Sequence, residues 1–313
     1  MPVKKPRKPI IVFIIGPTAI GKTRLSIKLA RRVRGRIISA DSMQVYKGMS
    51  VLSQAPDASE RKAVKHYLVG FLDPGKEYSA ADFRQKAGCI ITSLIKNKTT
   101  PVIVGGSGLY VKALVDGLFP SPQADMKFRK KMQEFIARYG SAKLHARLSK
   151  IDGCAAAKIH PNDSRRIIRA FEIYHSTGRT MTELKKETKG GLKNIYRVKI
   201  FGITRPRDQI YSAIEARVDR MFDHGALDEV MRLKKRRLSK TAGTVLGFKE
   251  ISGYLDGEYD LKAAKDLLKK NTRHFAKRQL AWFRADKRIR WFDVSKMGEE
   301  GIIREIIRVY KGR

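Results

Sequence analysis

Short, almost wholly apolar runs alternate along this chain with longer stretches whose apolar positions recur every three to four residues. Ile10–Ile15 is the first such run. Its six apolar, largely β-branched residues fit a parallel strand buried on both faces. Residues 22–33 carry apolar Leu25, Ile27, Leu29 and Ala30 at helical spacing. Residues 35–39 predict a second strand, and residues 67–73 either a further strand or an extended loop. Ser79, with Asp82 three positions on, marks the capped start of a helix reaching Asn97, and residues 101–104 form another buried strand.

The pattern changes between residues 118 and 195. Pro120 and Pro122 end the preceding helix, and helical spacing alone follows over 124–139, 141–150 and 164–176. A Lys/Gly-rich stretch, 185–193, reads as a return linker. Residues 196–203 then predict a strand, 205–233 a mainly helical region, 271–284 a basic helix, 288–293 a last strand and 299–310 a closing helix. The fold class expected is α/β: a P-loop NTPase-like parallel sheet core from 1–117 and 196–313, interrupted by a helical insertion domain at 118–195.

The P-loop assignment rests on Gly16-Pro17-Thr18-Ala19-Ile20-Gly21-Lys22-Thr23, which joins the first strand to the first helix. Glycines let such a loop turn its backbone N–H groups toward an anion. Lys22 reaches terminal phosphate oxygens and Thr23 places a hydroxyl on Mg²⁺. Asp41, Ser42 and Gln44 follow the second strand, whose carboxyl end lies on the P-loop side of a doubly wound sheet. Asp41 there is a general base, a support for metal or a helix N-cap. Gly105-Gly106-Ser107-Gly108 is a second glycine-rich strand-to-helix turn, serving either a ligand or close packing.

Charge enlarges the expected ligand. With 67 Lys and Arg against 30 Asp and Glu, a net charge of +37 points to a polyanion larger than a nucleotide. Cys89 and Cys154 stand alone, against a disulfide framework or zinc finger, and fit a reducing, cytoplasmic setting. No apolar run approaches the roughly 20 residues of a membrane span. The basic, Pro-rich start, residues 1–9, reads as a tail, not a signal peptide.

The blocks Gly16 to Thr23, Ser39-Ala40-Asp41-Ser42-Met43-Gln44-Val45-Tyr46 and Gly105-Gly106-Ser107-Gly108-Leu109-Tyr110 resemble, in order and spacing, the three signature blocks of the tRNA dimethylallyltransferases. The resemblance implies transfer of dimethylallyl from dimethylallyl diphosphate to N6 of adenosine 37, in tRNAs reading codons that begin with U. It implies Mg²⁺ as cofactor, the tRNA anticodon stem-loop as partner, and a monomer. Asp41, Thr23 and Arg217 become the catalytic set, with residues 16–23 holding diphosphate. Arg217 lies in Arg217-Val218-Asp219-Arg220-Met221, a block whose arginine approaches the diphosphate; an ion pair with Asp219 or Glu215 is the alternative. Four residues earlier, where the family carries another arginine, this chain has Ala213, so that one cationic contact is either missing or supplied by Arg220.

By the same resemblance, Asp41, Ser42, Met43 and Gln44 meet the target base, and Gly106 and Ser107 contact tRNA. Arg165, Arg166, Ile167, Ile168 and Arg169 contact tRNA, although the arginines could instead pair with Glu172. Thr244, Gly247, Phe248 and Lys249 form a further tRNA-contacting block, as do Arg273, Lys277 and Arg278, while Phe275, Trp282 and Phe283 read as core. The basic run at 232–240 is either a solvated face or a track for RNA phosphates. Two readings compete: a nucleoside or nucleotide kinase, which leaves the net charge unexplained, and a noncatalytic RNA-binding protein switched by nucleotide, which leaves the Asp41 and Gly105 blocks unexplained.

Overall fold

The computed structural model describes residues 8–312; residues 1–7, most of the expected tail, lie outside the described residues. Two compact units are formed, one from the chain up to Val115 together with Leu192 onward, the other from Asp116–Gly191. The first unit opens with β1 (Ile10–Ile15), α1 (Lys22–Arg32), β2 (Gly35–Ser39), α2 (Ala58–Ala63), β3 (His66–Tyr67), α3 (Ala80–Lys96), β4 (Thr100–Gly105) and α4 (Gly108–Asp116). The second holds β5 (Gly117–Leu118), α5 (Met126–Tyr139), α6 (Ser141–Ile151), α7 (Gly153–Ala156), α8 (Ser164–Thr177), α9 (Met181–Lys186) and β6 (Lys189–Gly190). The chain then returns with β7 (Arg197–Thr204), α10 (Arg207–Asp223), α11 (Ala226–Lys234), α12 (Phe248–Leu255), α13 (Leu261–Arg284), β8 (Arg290–Asp293) and α14 (Val294–Lys311).

Six strands make one parallel sheet in the order β3-β2-β4-β1-β7-β8. β1 lies between β4 and β7, with Val12 opposite both Val102 and Lys199. Its central place explains why five of its residues are buried. From β1 the chain fills one side of the sheet and returns on the other, so the carboxyl end of β1 faces a topological switch point.

Three sequence expectations are refined. Of the two forms expected over 67–73, a strand or an extended loop, the loop prevails: only Tyr67 lies in a strand, His66–Tyr67, and Leu72 makes an isolated parallel bridge with Tyr46. The mainly helical region expected over 205–233 is two helices, α10 and α11, joined at Gly225, whose φ of 85° takes the left-handed region. The stretch 185–193 contains β6, paired antiparallel with β5 through Gly117 opposite Gly190 and Leu118 opposite Lys189. The helical unit therefore begins at Asp116 and ends at Gly191 instead of at 118 and 195. Its own core gathers Leu144, Leu148, Ile167, Ile168, Ile173, Met181 and Leu184.

Candidate active site

Positive φ angles at Gly16 (149°), Ala19 (65°) and Gly21 (84°) curl the loop between β1 and α1. A side chain at Gly16 would strike the Ile203 carbonyl oxygen, with its Cβ 2.4 Å away. The loop is thus packed directly on the end of β7. Lys22 Nζ donates to the Pro17 carbonyl at 2.6 Å. Burial, then the neighbouring Arg217, lowers the Lys22 pKa to about 7, with Asp41 opposing the shift.

Two members of the expected diphosphate loop do not donate to an anion through their backbone. Pro17 has no N–H, and its carbonyl serves Lys22. The Thr18 N–H is engaged by Gln279 Oε1 at 2.9 Å. The donors left at the start of α1 are those of Ala19, Ile20, Gly21, Lys22 and Thr23, where no side chain caps the helix.

Asp41 leaves β2 in a turn, not at a helix N-terminus, and its Oδ1 accepts from the Met43 N–H at 2.9 Å. Burial raises its pKa; backbone N–H groups of Met43 and Gln44 and the charges of Lys22 and Arg217 pull the other way. Ser107 Oγ accepts from the Ser42 N–H at 2.9 Å, tying the β4 turn to the Asp41 turn. Gln44 is a correction. Its Oε1 accepts from Ser39 Oγ at 2.8 Å and its Nε2 donates to the Gln54 carbonyl at 3.0 Å, so its amide holds its own loop instead of reading a base.

Arg217 Nη1 donates to Thr18 Oγ1 at 2.7 Å. The alternative ion pairs are taken elsewhere: Asp219 pairs with Lys269 and Glu215 with Arg273. Burial, followed by the charge of Arg220, lowers the Arg217 pKa to about 10, while Asp41 raises it. Arg220 itself is exposed.

The β4 turn resolves toward packing. A Cβ on Gly105 would lie 2.1 Å from the Ala40 carbonyl oxygen, and one on Gly108 would lie 2.2 Å from Trp282 Cδ1. One on Gly106 would lie 2.1 Å from Gln279 Nε2, which donates to the Gly106 carbonyl at 3.1 Å. Gly106 is consequently covered by protein, against its expected contact with tRNA.

Gln279 was assigned no role from sequence, yet it joins the P-loop to the β4 turn from α13. Its signal was a polar residue in the buried stripe Thr272, Ala276, Gln279 and Phe283. Glu229 of α11 lies in the block that follows Arg217, and its role emerges only in the fold. Its buried carboxylate accepts from Val51 and Leu52 N–H at 2.9 and 2.8 Å, fixing the segment beyond the Asp41 turn.

The remaining expected residues divide by exposure. Arg165, Arg166, Thr244, Lys249, Lys277 and Arg278 are exposed, and Arg273 is half-buried against Glu215. Ile167 and Ile168 are buried in the helical unit's core, which removes their side chains from contact with RNA. Arg169 is held by Glu172, by Ser121 Oγ and by the Pro122 carbonyl, so it is a structural cation. Gly247, with φ of 96°, lies against Leu52, and Phe248 packs on the main core. Phe283 is buried as expected, whereas Trp282 is 40% exposed. In the basic run, Lys234 pairs with Asp256 and Arg236 with Asp73.

A family model described as IPP transferase matches residues 44–286. The tRNA dimethylallyltransferase of Halothermothrix orenii is 44% identical over 304 residues, covering 96% of this chain and 92% of that protein. That of Geobacter sulfurreducens is 41% identical, with 90% and 91% covered. Among solved structures, the tRNA isopentenylpyrophosphate transferase of Bacillus halodurans superposes with a TM-score of 0.72 at 39% identity, covering 98% of this chain and 96% of that one. A eukaryotic dimethylallyltransferase acting on tRNA gives 0.79 at 26% identity, with 97% and 80% covered. With the family model matching residues 44–286 and relatives of this identity covering nearly the whole chain, the chain belongs to the IPP transferase family.

Proposed function

We propose that this protein transfers the dimethylallyl group of dimethylallyl diphosphate to N6 of adenosine 37 in tRNAs that read codons beginning with U, releasing diphosphate. The observation that carries this reading is the grouping of the Asp41 carboxylate with Lys22 and Arg217 beside the P-loop. An exocyclic adenine amine is a weak nucleophile because its lone pair is delocalised into the ring. As N6 bonds to C1 of the prenyl group, Asp41 accepts the proton from N6. The C1–O bond breaks and its electron pair leaves on the diphosphate. That growing charge meets Lys22, Arg217 and the N–H groups of residues 19–23.

The donor set fits Mg²⁺. No group of three His, Cys, Asp or Glu side chains among the described residues would hold a metal on its own. A hard cation that arrives on diphosphate oxygens and keeps most of its water would need only the Thr23 hydroxyl from the protein. Bound there, Mg²⁺ supplies further neutralisation of the leaving group.

The target base leaves its stack in the anticodon loop to reach Asp41. Ser42 and Met43, beside Asp41, and Ser107, bonded to the Ser42 turn, surround its entry. Arg165, Arg166, Thr244, Lys249, Arg273, Lys277 and Arg278 meet the tRNA, mainly through phosphates. No helix among the described residues is long and apolar enough to cross a membrane; a cytoplasmic place beside tRNA suits the reading.

The test is incubation with Mg²⁺, labelled dimethylallyl diphosphate and unmodified tRNA containing A36-A37-A38, with Asp41→Ala as control. Label on A37 with wild type, and its loss with the variant, is the expected result. Loss of γ-phosphate from labelled ATP without prenyl transfer would overturn the reading.

A further inference from the structure

Five buried side-chain polar atoms find no hydrogen-bond partner among the described residues: Ser53 Oγ, His66 Nε2, Tyr78 Oη, Arg205 Nε and Ser252 Oγ. Arg205 differs from the others in kind. A guanidinium keeps its charge at any physiological pH and offers five donors, so it cannot relieve an unpaired position by losing a proton. No carboxylate pairs with it among the described residues. A protein that keeps such a group beside its ligand loop holds a cation ready for an anion that arrives later.

The topology fixes where that cation stands. Arg205 directly follows β7, which runs parallel to β1, so both chains emerge at the same sheet edge. The end of β7 touches the P-loop at Gly16 through Ile203. A methyl group on Gly21 would lie 3.9 Å from Arg205 Nη2. Gly21 is the residue from which α1 starts, where the helix turns its unbonded N–H groups outward. Arg217 reaches the other part of the same loop, at Thr18. The two arginines therefore address the loop at Gly21 and at Thr18.

We propose that Arg205 is a diphosphate-binding residue, whose guanidinium meets a nonbridging oxygen of the prenyl diphosphate at the Gly21 end of the loop. The proposal rests on the prenyl-transfer reading of the P-loop. Planar, two-pronged donation suits phosphate oxygens, and the contact strengthens as the departing diphosphate gains charge. Arg205 thus acts on both binding and turnover.

Isothermal titration of inorganic diphosphate, in the presence of Mg²⁺, into wild type, Arg205→Gln and Arg205→Lys tests this. Arg205→Gln is expected to weaken binding about tenfold or more and to raise KM for dimethylallyl diphosphate similarly, with KM for tRNA unchanged. Arg205→Lys restores part of the loss, since it keeps charge without the planar fork. The ligand-free Tm of Arg205→Gln should not fall, because an unpaired charge has been removed, whereas the rise in Tm on adding diphosphate shrinks. Wild-type diphosphate affinity in Arg205→Gln, alongside lost affinity in Lys22→Met, overturns the role of Arg205 and leaves the P-loop reading standing. Absence of diphosphate binding by wild type overturns both.

Discussion

Gln279 accepts a hydrogen bond from the backbone N–H of Thr18 at 2.9 Å, so a side chain of α13 grips the P-loop by its main chain. Its amide nitrogen holds the Gly106 carbonyl at the same time. One buried amide thereby spaces two loops whose sequences are far apart. Without Gln279, the Thr18 N–H and the Gly106 carbonyl would be left unsatisfied, at a cost of about 1–3 kcal/mol each.

Gln279→Ala is accordingly expected to lower Tm by several degrees and to raise KM for dimethylallyl diphosphate. Gln279→Glu keeps an acceptor for Thr18 but turns a carboxylate oxygen on the Gly106 carbonyl, and should be no better than alanine. Wild-type kinetics in Gln279→Glu would show that the Gly106 contact is dispensable.

Asp41→Asn should retain diphosphate binding while kcat falls roughly 10²- to 10⁴-fold, the usual loss for a general base. Only the carboxylate accepts a proton, and burial raises the Asp41 pKa. The wild-type rate should therefore decline with falling pH sooner than an ordinary aspartate dictates. A pH–rate profile measured with saturating tRNA checks this, and the residual rate of Asp41→Asn should lack that limb.

Diphosphate binding should take up protons. With its pKa lowered to about 7, Lys22 is largely neutral in the ligand-free protein at pH 8. A bound polyanion favours the ammonium form, so affinity declines as pH rises through and beyond about 7. Titration calorimetry in buffers of different ionisation heat reads the uptake directly. The stability sign is also set: the folded chain binds fewer protons at Lys22 than the unfolded chain between about 7 and 10.5. Stability gains with pH across that window, and Lys22→Met should flatten the gain.

Arg217→Gln should cost about 10²-fold or more in kcat/KM, the scale for losing one preorganised donor to a developing anion. Thr18→Val removes only the partner hydroxyl that orients Arg217 and should cost less. A larger loss in Thr18→Val than in Arg217→Gln would reverse the assigned order of importance.

In the helical unit, Glu172 is fully buried and accepts from Arg129, Arg169 and the Asp125 N–H. Burial alone would raise its pKa, but the arginine and backbone hydrogen bonds win and hold it below the usual range. Its stabilisation is present above the pKa of an unfolded glutamate and is lost as pH falls through the lowered folded value. Glu172→Ala strands both arginines; because each remains about a third exposed, the expected cost is about 3 kcal/mol, near the low end for buried pairs. Thermal melts at neutral and acidic pH should show the variant's deficit narrowing in acid.

Local sequence determined what local physics controls. The apolar run at 10–15 has the length and β-branching of the buried strand that it forms, the Gly-x-x-x-x-Gly-Lys-Thr spacing marks the curled loop between that strand and the first helix, and Ser79 with Asp82 marks a capping box that the structure contains. Asp41 and Arg217 stood out as candidates because they sit in blocks of definite spacing. Tertiary structure decided how the remaining polar side chains are used. Whether Gln44 faces a ligand or its own loop, whether Arg169 is free or bonded to Glu172, and that Gln279 reaches Thr18 across the fold all depend on partners remote in sequence. The same holds for the glycines of the β4 turn, whose missing side chains make room for Ala40, Gln279 and Trp282. Periodicity and spacing report a residue's own element; hydrogen-bond partners and close approach arise only when separate elements are brought together.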